Sequence, residues 1–166
     1  MKKVTSILIL FLCFHFANGQ ERTLETKKYA GTYTTGNVRS KEGGGRIDIY
    51  PESDSMVLMY VYLQNGGPSY NFGRLYGRVK ILNGKGHFLK KYDDMDISCH
   101  WSIIINKDAL IVTTINRQYN CEFGNGVYAD GRYKKVSSKT PEYFDPGDGE
   151  KVYFSKVTPE EYNDNL

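Results

Sequence analysis

The chain is poor in the residues that most often carry chemistry. Of 166 residues only three are histidine and three are cysteine, and His15 and Cys13 lie in an N-terminal apolar segment. His87 and His100 remain, with no Gly-x-Ser-x-Gly turn to present a nucleophile beside either. His100 falls mid-strand on what reads as a solvent face. Nucleophilic catalysis is therefore not expected, and the chain reads as a non-enzyme. Acidic residues crowd two loops, Asp93, Asp94 and Asp96 in one and Asp145, Asp148 and Glu150 in the other. Neither offers the alternating oxygens around a glycine turn that calcium requires, and neither aligns as the paired carboxylates of a glycosidase. Both are expected to be solvated loops, so no metal and no cofactor is expected.

Long apolar runs are scarce as well. The one near the N-terminus, Ile7 to Phe14 behind Lys2 and Lys3, is too short to span a bilayer and reads as a signal peptide. Ala17-Asn-Gly19 supplies small residues for cleavage, so residues 1–19 are expected to leave and Gln20 to begin the mature chain. Cys13 follows Leu12 inside the apolar core, which argues against a lipoprotein signal. Loss of Lys2 and Lys3 lowers the basic count from 22 to 20 against 19 acids, and the net charge from +3 to +1. No concentrated basic face remains for a phosphate backbone, which excludes nucleic acid as a partner. The expected location is exported, periplasmic or secreted, with no transmembrane span after cleavage.

The positive signals centre on Cys99 to Tyr133. In this stretch Ile97, Cys99, Trp101, Ile103 and Ile105 alternate with Asp96, Ser98, His100 and Ser102, the period of a half-buried strand. Cys99 and Cys121 are the only cysteines left after processing, and an exported chain with an even count is expected to join them. Closing that loop contributes roughly 3 kcal/mol on the chain-entropy model.

Elsewhere short strand patterns follow one another through tight turns. Glu21 to Lys28 reads as a frayed end and Tyr29–Thr35 as the first strand. Gly36 to Gly45 is a glycine-rich hairpin loop, and Ile47 and Ile49 point to a core. Met56 to Leu63 is apolar on both faces and reads as a strand covered on two sides. Tyr70 to Leu82 contains Gly73 and Gly77, expected to mark bulges or a bend. Asn83-Gly84 is a two-residue hairpin turn, with a return strand to Tyr92. Ala109 to Ile115 returns from the central strand. The sum is an all-β antiparallel meander over 20–136, closing into a roughly eight-stranded barrel, with a β-sandwich as the alternative. Residues 137–166 form an extension: Lys151–Ser155 suggests an added strand, and Thr158-Pro-Glu-Glu161 a capped short helix.

Fourteen tyrosines are a marked bias. Strand propensity and packing account for many, but tyrosines on loops also suit protein or glycan surfaces. Tyr70, Tyr76, Tyr119 and Tyr143 lie nearest the expected loops and are the candidate partner contacts.

The ending Cys121-Glu-Phe-Gly-Asn-Gly-Val-Tyr-Ala-Asp-Gly-Arg-Tyr133, after Cys99 at a strand start, resembles a small exported bacterial β domain found in lysozyme-inhibitor-like proteins. The likeness covers about Gly67 to Tyr133 and implies a non-enzymatic domain that blocks a cell-wall hydrolase. The Ser-Gly-rich loop ending in Lys-Tyr, by which such inhibitors enter an enzyme cleft, is absent; Ser40-Lys-Glu-Gly-Gly-Gly45 is only a loose echo. The expected function is thus an exported binding protein for a protein partner, of inhibitor or immunity type. The alternative is a lipocalin-like carrier of small amphiphiles, which requires a hollow apolar interior.

Overall fold

Strands whose side chains alternate between apolar and polar can bury one face together by curling into a closed sheet, and this chain does so. The computed structural model describes residues 23–37, 42–92, 95–147 and 149–164. The expected signal peptide with its cleavage point at Gln20, and Asp93, Asp94 and Asp148 of the acidic loops, lie outside the described residues. Eight strands run in order: β1 (Gly31–Asn37), β2 (Gly43–Pro51), β3 (Met56–Asn65), β4 (Phe72–Leu82), β5 (Lys85–Tyr92), β6 (Met95–Ile105), β7 (Ala109–Tyr119) and β8 (Gly131–Ser137). Each pairs antiparallel with the next, and β8 returns to β1, so the sheet is a closed barrel rather than a sandwich.

The barrel is filled. Ile47, Ile49, Val57, Met59, Val61 and Leu110 pack inside around Trp101, which is 1 % exposed. The expected inward row of β6 is present in Cys99, Trp101, Ile103 and Ile105. Two tyrosines pin this interior to its ends. The Tyr33 hydroxyl donates to the Tyr29 carbonyl at 2.7 Å, and the Tyr133 hydroxyl to the Ala129 carbonyl at 2.8 Å. Burial pushes both phenols well above the ordinary tyrosine value.

The outer face of β3 is also covered, as its two-sided apolar pattern requires. Leu58 and Tyr60 on β3 and Tyr76 on β4 lie under the C-terminal extension. There β9 (Tyr143–Phe144) pairs with β10 (Val152–Tyr153), and α1 (Pro159–Asp164) follows. Phe144 stacks on Tyr60 with centroids 3.9 Å apart, and Phe154 on Tyr50 at 5.4 Å. The Tyr76 hydroxyl donates to the Val157 carbonyl at 2.9 Å. Helix α1 begins as expected: Glu161 N–H donates to Thr158 Oγ1 and Thr158 N–H to Glu161 Oε2, a reciprocal capping box. Arg78 clamps the helix to the barrel, reaching Glu52 on one side and Glu160 on the other, each at 2.7 Å.

Several expectations need correction. The segment expected to fray contains a 3₁₀ helix, Glu25–Tyr29, whose Thr26 is buried and donates to the Ser53 carbonyl. The register of β3 against β4 is continuous through Gly73 and Gly77, so neither glycine is a bulge. They make room instead: a Cβ at Gly73 would stand 2.4 Å from Phe123, and one at Gly77 2.4 Å from Phe88. Strand β7 runs beyond Ile115 to Tyr119. The added strand expected within Lys151–Ser155, by contrast, is present as β10, which pairs with β9.

Candidate binding surface

An up-and-down barrel puts alternate connections at opposite ends, and here the two ends differ. The β2–β3, β4–β5 and β6–β7 connections are short and internally bonded. Ser53 Oγ accepts from Met56 N–H, and Asn106 Oδ1 accepts from the N–H groups of Asp108 and Ala109. Asn83-Gly84 turns in two residues with both φ angles positive. The 3₁₀ helix packs at this end through Thr26 and Ser53.

The opposite end carries the long connections, 66–71 between β3 and β4 and 120–130 between β7 and β8. They are tied to one another: Asn71 Nδ2 donates to the Asn125 carbonyl at 2.7 Å, and Gly124 N–H to the Phe72 carbonyl at 2.9 Å. The disulfide anchors the second loop, with the Cys99 and Cys121 sulfurs 2.09 Å apart. Among the described residues of this rim four aromatic side chains stand out of the surface: Tyr70 (48 % exposed), Phe72 (49 %), Tyr119 (48 %) and Tyr128 (59 %). Tyr119 and Tyr128 meet edge to face with centroids 5.4 Å apart.

The rim also concentrates left-handed backbone at residues other than glycine: Tyr70 (φ 49°), Asn116 (φ 53°), Arg117 (φ 58°) and Glu122 (φ 59°). Such residues cost about 1–3 kcal/mol each and persist where the surroundings hold them. Below the rim β4 and β5 separate, because their ladder covers only Lys80–Leu82 against Lys85–His87. Phe88 and Phe123 plug the interior side of the gap against Trp101, at 5.2 and 6.1 Å between centroids. Outside them a groove of about 460 Å³ is bounded by Arg74, Lys90, Glu122 and Asn163. Lys90 and Glu122 form an ion pair at 2.6 Å across its mouth.

The four candidate tyrosines do not form one site. Tyr70 and Tyr119 are on the rim. Tyr76 is 1 % exposed beneath the extension, and burial raises its phenol well above the usual value. Tyr143 is exposed on β9, beside Tyr153 and under Lys151, on the extension itself. Phe72 and Tyr128 belong to the rim but were not singled out from the sequence. Phe72 opens β4 with the same outward parity as Arg74, and Tyr128 alternates with inward Val127 and Ala129. Of the acidic loops, Asp145 is engaged by its own backbone, Oδ1 accepting from Gly147 and Gly149 N–H.

Comparison with family models, with curated proteins and with solved structures finds no match to this chain. The class is therefore set by architecture: a filled, eight-stranded antiparallel barrel with one disulfide, an aromatic loop end and a C-terminal segment packed on its wall. Among the described residues no helix is long and apolar enough to cross a membrane.

Proposed function

We propose that this protein is an exported, non-catalytic binding module that grips a protein partner with the loop-rich end of its barrel. The observation that carries this reading is the rim of exposed aromatics, Tyr70 and Tyr128 on two mutually bonded loops and Phe72 and Tyr119 on the strand ends beside them. Tyrosine presented among asparagine and glycine, as in Asn65-Gly-Gly-Pro-Ser-Tyr-Asn71 and Gly124-Asn-Gly-Val-Tyr128, is the composition of protein-binding loops. Tyrosine gives large contact area with few rotatable bonds, and asparagine and glycine give adaptable hydrogen bonding. Left-handed backbone held by a disulfide and cross-loop hydrogen bonds supports a preorganised surface, which lowers the cost of binding.

The filled interior favours this reading over the amphiphile carrier, since Trp101, Tyr33 and Tyr133 occupy the space a ligand would need. The disulfide suits an oxidising compartment and thus an exported protein. The resemblance of the Cys121–Tyr133 ending to lysozyme-inhibitor-like proteins points to a cell-wall hydrolase as the partner, in an inhibitor or immunity role.

The test is inhibition of a panel of peptidoglycan hydrolases by the purified protein and by a Tyr70→Ala/Tyr119→Ala/Tyr128→Ala variant. Inhibition by the native chain that drops at least 100-fold in the variant supports the reading. A hydrolase inhibited equally by both proteins removes the rim as the contact surface, and a panel left fully active removes the hydrolase.

A further inference from the structure

The barrel wall just below the rim, beside the left-handed Asn116 and Arg117, carries a second feature. Only two histidines occur among the described residues, and the fold places them side by side. His87 is on β5 and His100 on β6. In the β5–β6 register His87 faces Ser102 while Leu89 faces His100, so the two imidazoles are diagonal neighbours on the outer surface. Their ring centroids are 5.8 Å apart.

The backbone beside them is unusual. Between Cys99 and Trp101 β6 has one residue, His100, while β7 has four between Tyr119 and Thr114. That excess is taken up by Asn116 and Arg117, two consecutive non-glycine residues in the left-handed region. Bulges of this kind re-aim a side chain, and strained backbone gathers at functional sites. Here the bulged strand delivers Gln118, whose Oε1 lies 3.1 Å from His100 Nδ1. An amide oxygen only accepts, so the contact is a hydrogen bond in the tautomer with its proton on Nδ1, which leaves the Nε2 lone pair as the ligating atom. A hydrogen bond on the far ring nitrogen is how metal-binding histidines are oriented.

We infer that His87 and His100, with Gln118 positioning His100, form a two-imidazole site for a divalent transition-metal ion, copper(II) first. Metal–nitrogen bonds of about 2.0–2.1 Å bring two rings on one ion to about 4.5–5.2 Å between centroids. The observed separation of 5.8 Å lies close to the upper end of that range, and His87 is exposed. No group of three or more His, Cys, Asp or Glu gathers among the described residues, so solvent completes the coordination. Lys80 faces His87 from β4, and Lys85 precedes it on the same side of β5. These ammonium groups disfavour calcium or magnesium, which carboxylates hold by charge, and leave selection to imidazole affinity, highest for copper(II) in the first-row series.

The experiment is titration of the purified protein with copper(II) sulfate, followed by electron paramagnetic resonance and by fluorescence quenching. Expected are one ion per chain, nitrogen superhyperfine structure from two imidazoles, and at least 30-fold weaker binding in His87→Gln. His100→Asn is expected to match it, and Gln118→Leu to weaken binding about 10-fold with both imidazoles still in the spectrum. Because His87 is exposed, His87→Gln reads the site in a folded protein. Copper bound by His87→Gln with native affinity and an unchanged spectrum overturns the assignment, as does a native spectrum with no imidazole nitrogen.

Discussion

Two aromatic regions of this molecule use the same residue types to opposite ends. On the outer wall, Tyr60, Tyr76, Phe144 and Phe154 bury one another and are all under 4 % exposed. At the loop end, Tyr70, Phe72, Tyr119 and Tyr128 are all close to half exposed or more. The first group stabilises the chain by joining the extension to the barrel. The second leaves apolar area in water, which costs stability and is useful only if another surface covers it. Composition does not separate the two; neighbouring chain does.

The contrast is broken most severely by Phe144→Ala. Phe144 stacks on Tyr60 and meets Tyr76, Phe154 and Tyr162, so removing it is expected to cost about 3–5 kcal/mol. Against a usual total of about 5–15 kcal/mol that is a large fraction, and it will appear as a lower urea midpoint. A loss under about 1 kcal/mol would mean that the extension does not bear on the stability of the barrel.

Opening the disulfide comes next. Paired Cys99→Ala and Cys121→Ala substitutions release a closed loop with a sequence separation of 22, at an expected cost of roughly 3 kcal/mol. Because Cys121 adjoins the left-handed Glu122 and the rim loop, the same change should weaken binding of the proposed protein partner. Equal binding by the native and the cysteine-free protein would show that the loop holds its shape without the bridge.

The barrel was legible in the sequence because alternation is a local signal. Ile47, Ile49 and the Cys99–Ile105 row each declare an inward face within a few residues. The two-sided apolar run of β3 even announced a cover, without saying what supplied it. That cover comes from residues more than 80 positions away, and Phe144 and Phe154 sit in a stretch of Pro, Asp and Gly whose local pattern is loop-like. Tyr76 was misplaced among loop contacts for the same reason: its strand parity marks an outward residue, but only the extension decides that outward means buried. Gly73 and Gly77 read as bulges because a bulge is a local cause of glycine, whereas Phe123 and Phe88 reach them from afar.

Smaller effects follow from the buried phenols. Tyr33, Tyr60, Tyr76 and Tyr133 all have values raised above ordinary tyrosine, chiefly by burial. The unfolded chain therefore loses these protons first, and their contribution to stability, complete below about pH 10, declines as pH rises beyond it. Tyr76→Phe should lessen that alkaline slope while costing about 1 kcal/mol at neutral pH for the lost bond to Val157. An unchanged alkaline slope would show that Tyr76 ionises without unfolding. On the rim, Tyr70→Ala or Tyr128→Ala should shift stability by no more than about 0.5 kcal/mol, and a loss above 2 kcal/mol would place that ring in the core.

The finest division is between two carboxylates near the covered wall. Asp48 on β2 is fully buried, accepts from Thr32 Oγ1 at 2.6 Å and lies 2.8 Å from Arg46 Nε. Oδ2 is thus paired with the Arg46 guanidinium. Burial raises the Asp48 carboxyl above the usual range, more than Arg46 and Thr32 lower it. The folded state then holds this proton more tightly than the unfolded chain, so stability falls as pH rises from the ordinary carboxylate range through the raised value. Glu160 on α1 runs the other way. Its own backbone N–H and the nearby Arg78 lower it, so its contribution is present above the ordinary glutamate value and is lost as pH falls. Urea midpoints between pH 3.5 and 7 should therefore separate the two: relative to native, Asp48→Asn gains toward neutrality, while Glu160→Gln falls behind. Parallel profiles for Asp48→Asn and the native protein would mean that water reaches Asp48 and that the wall is less tightly covered than its burial indicates.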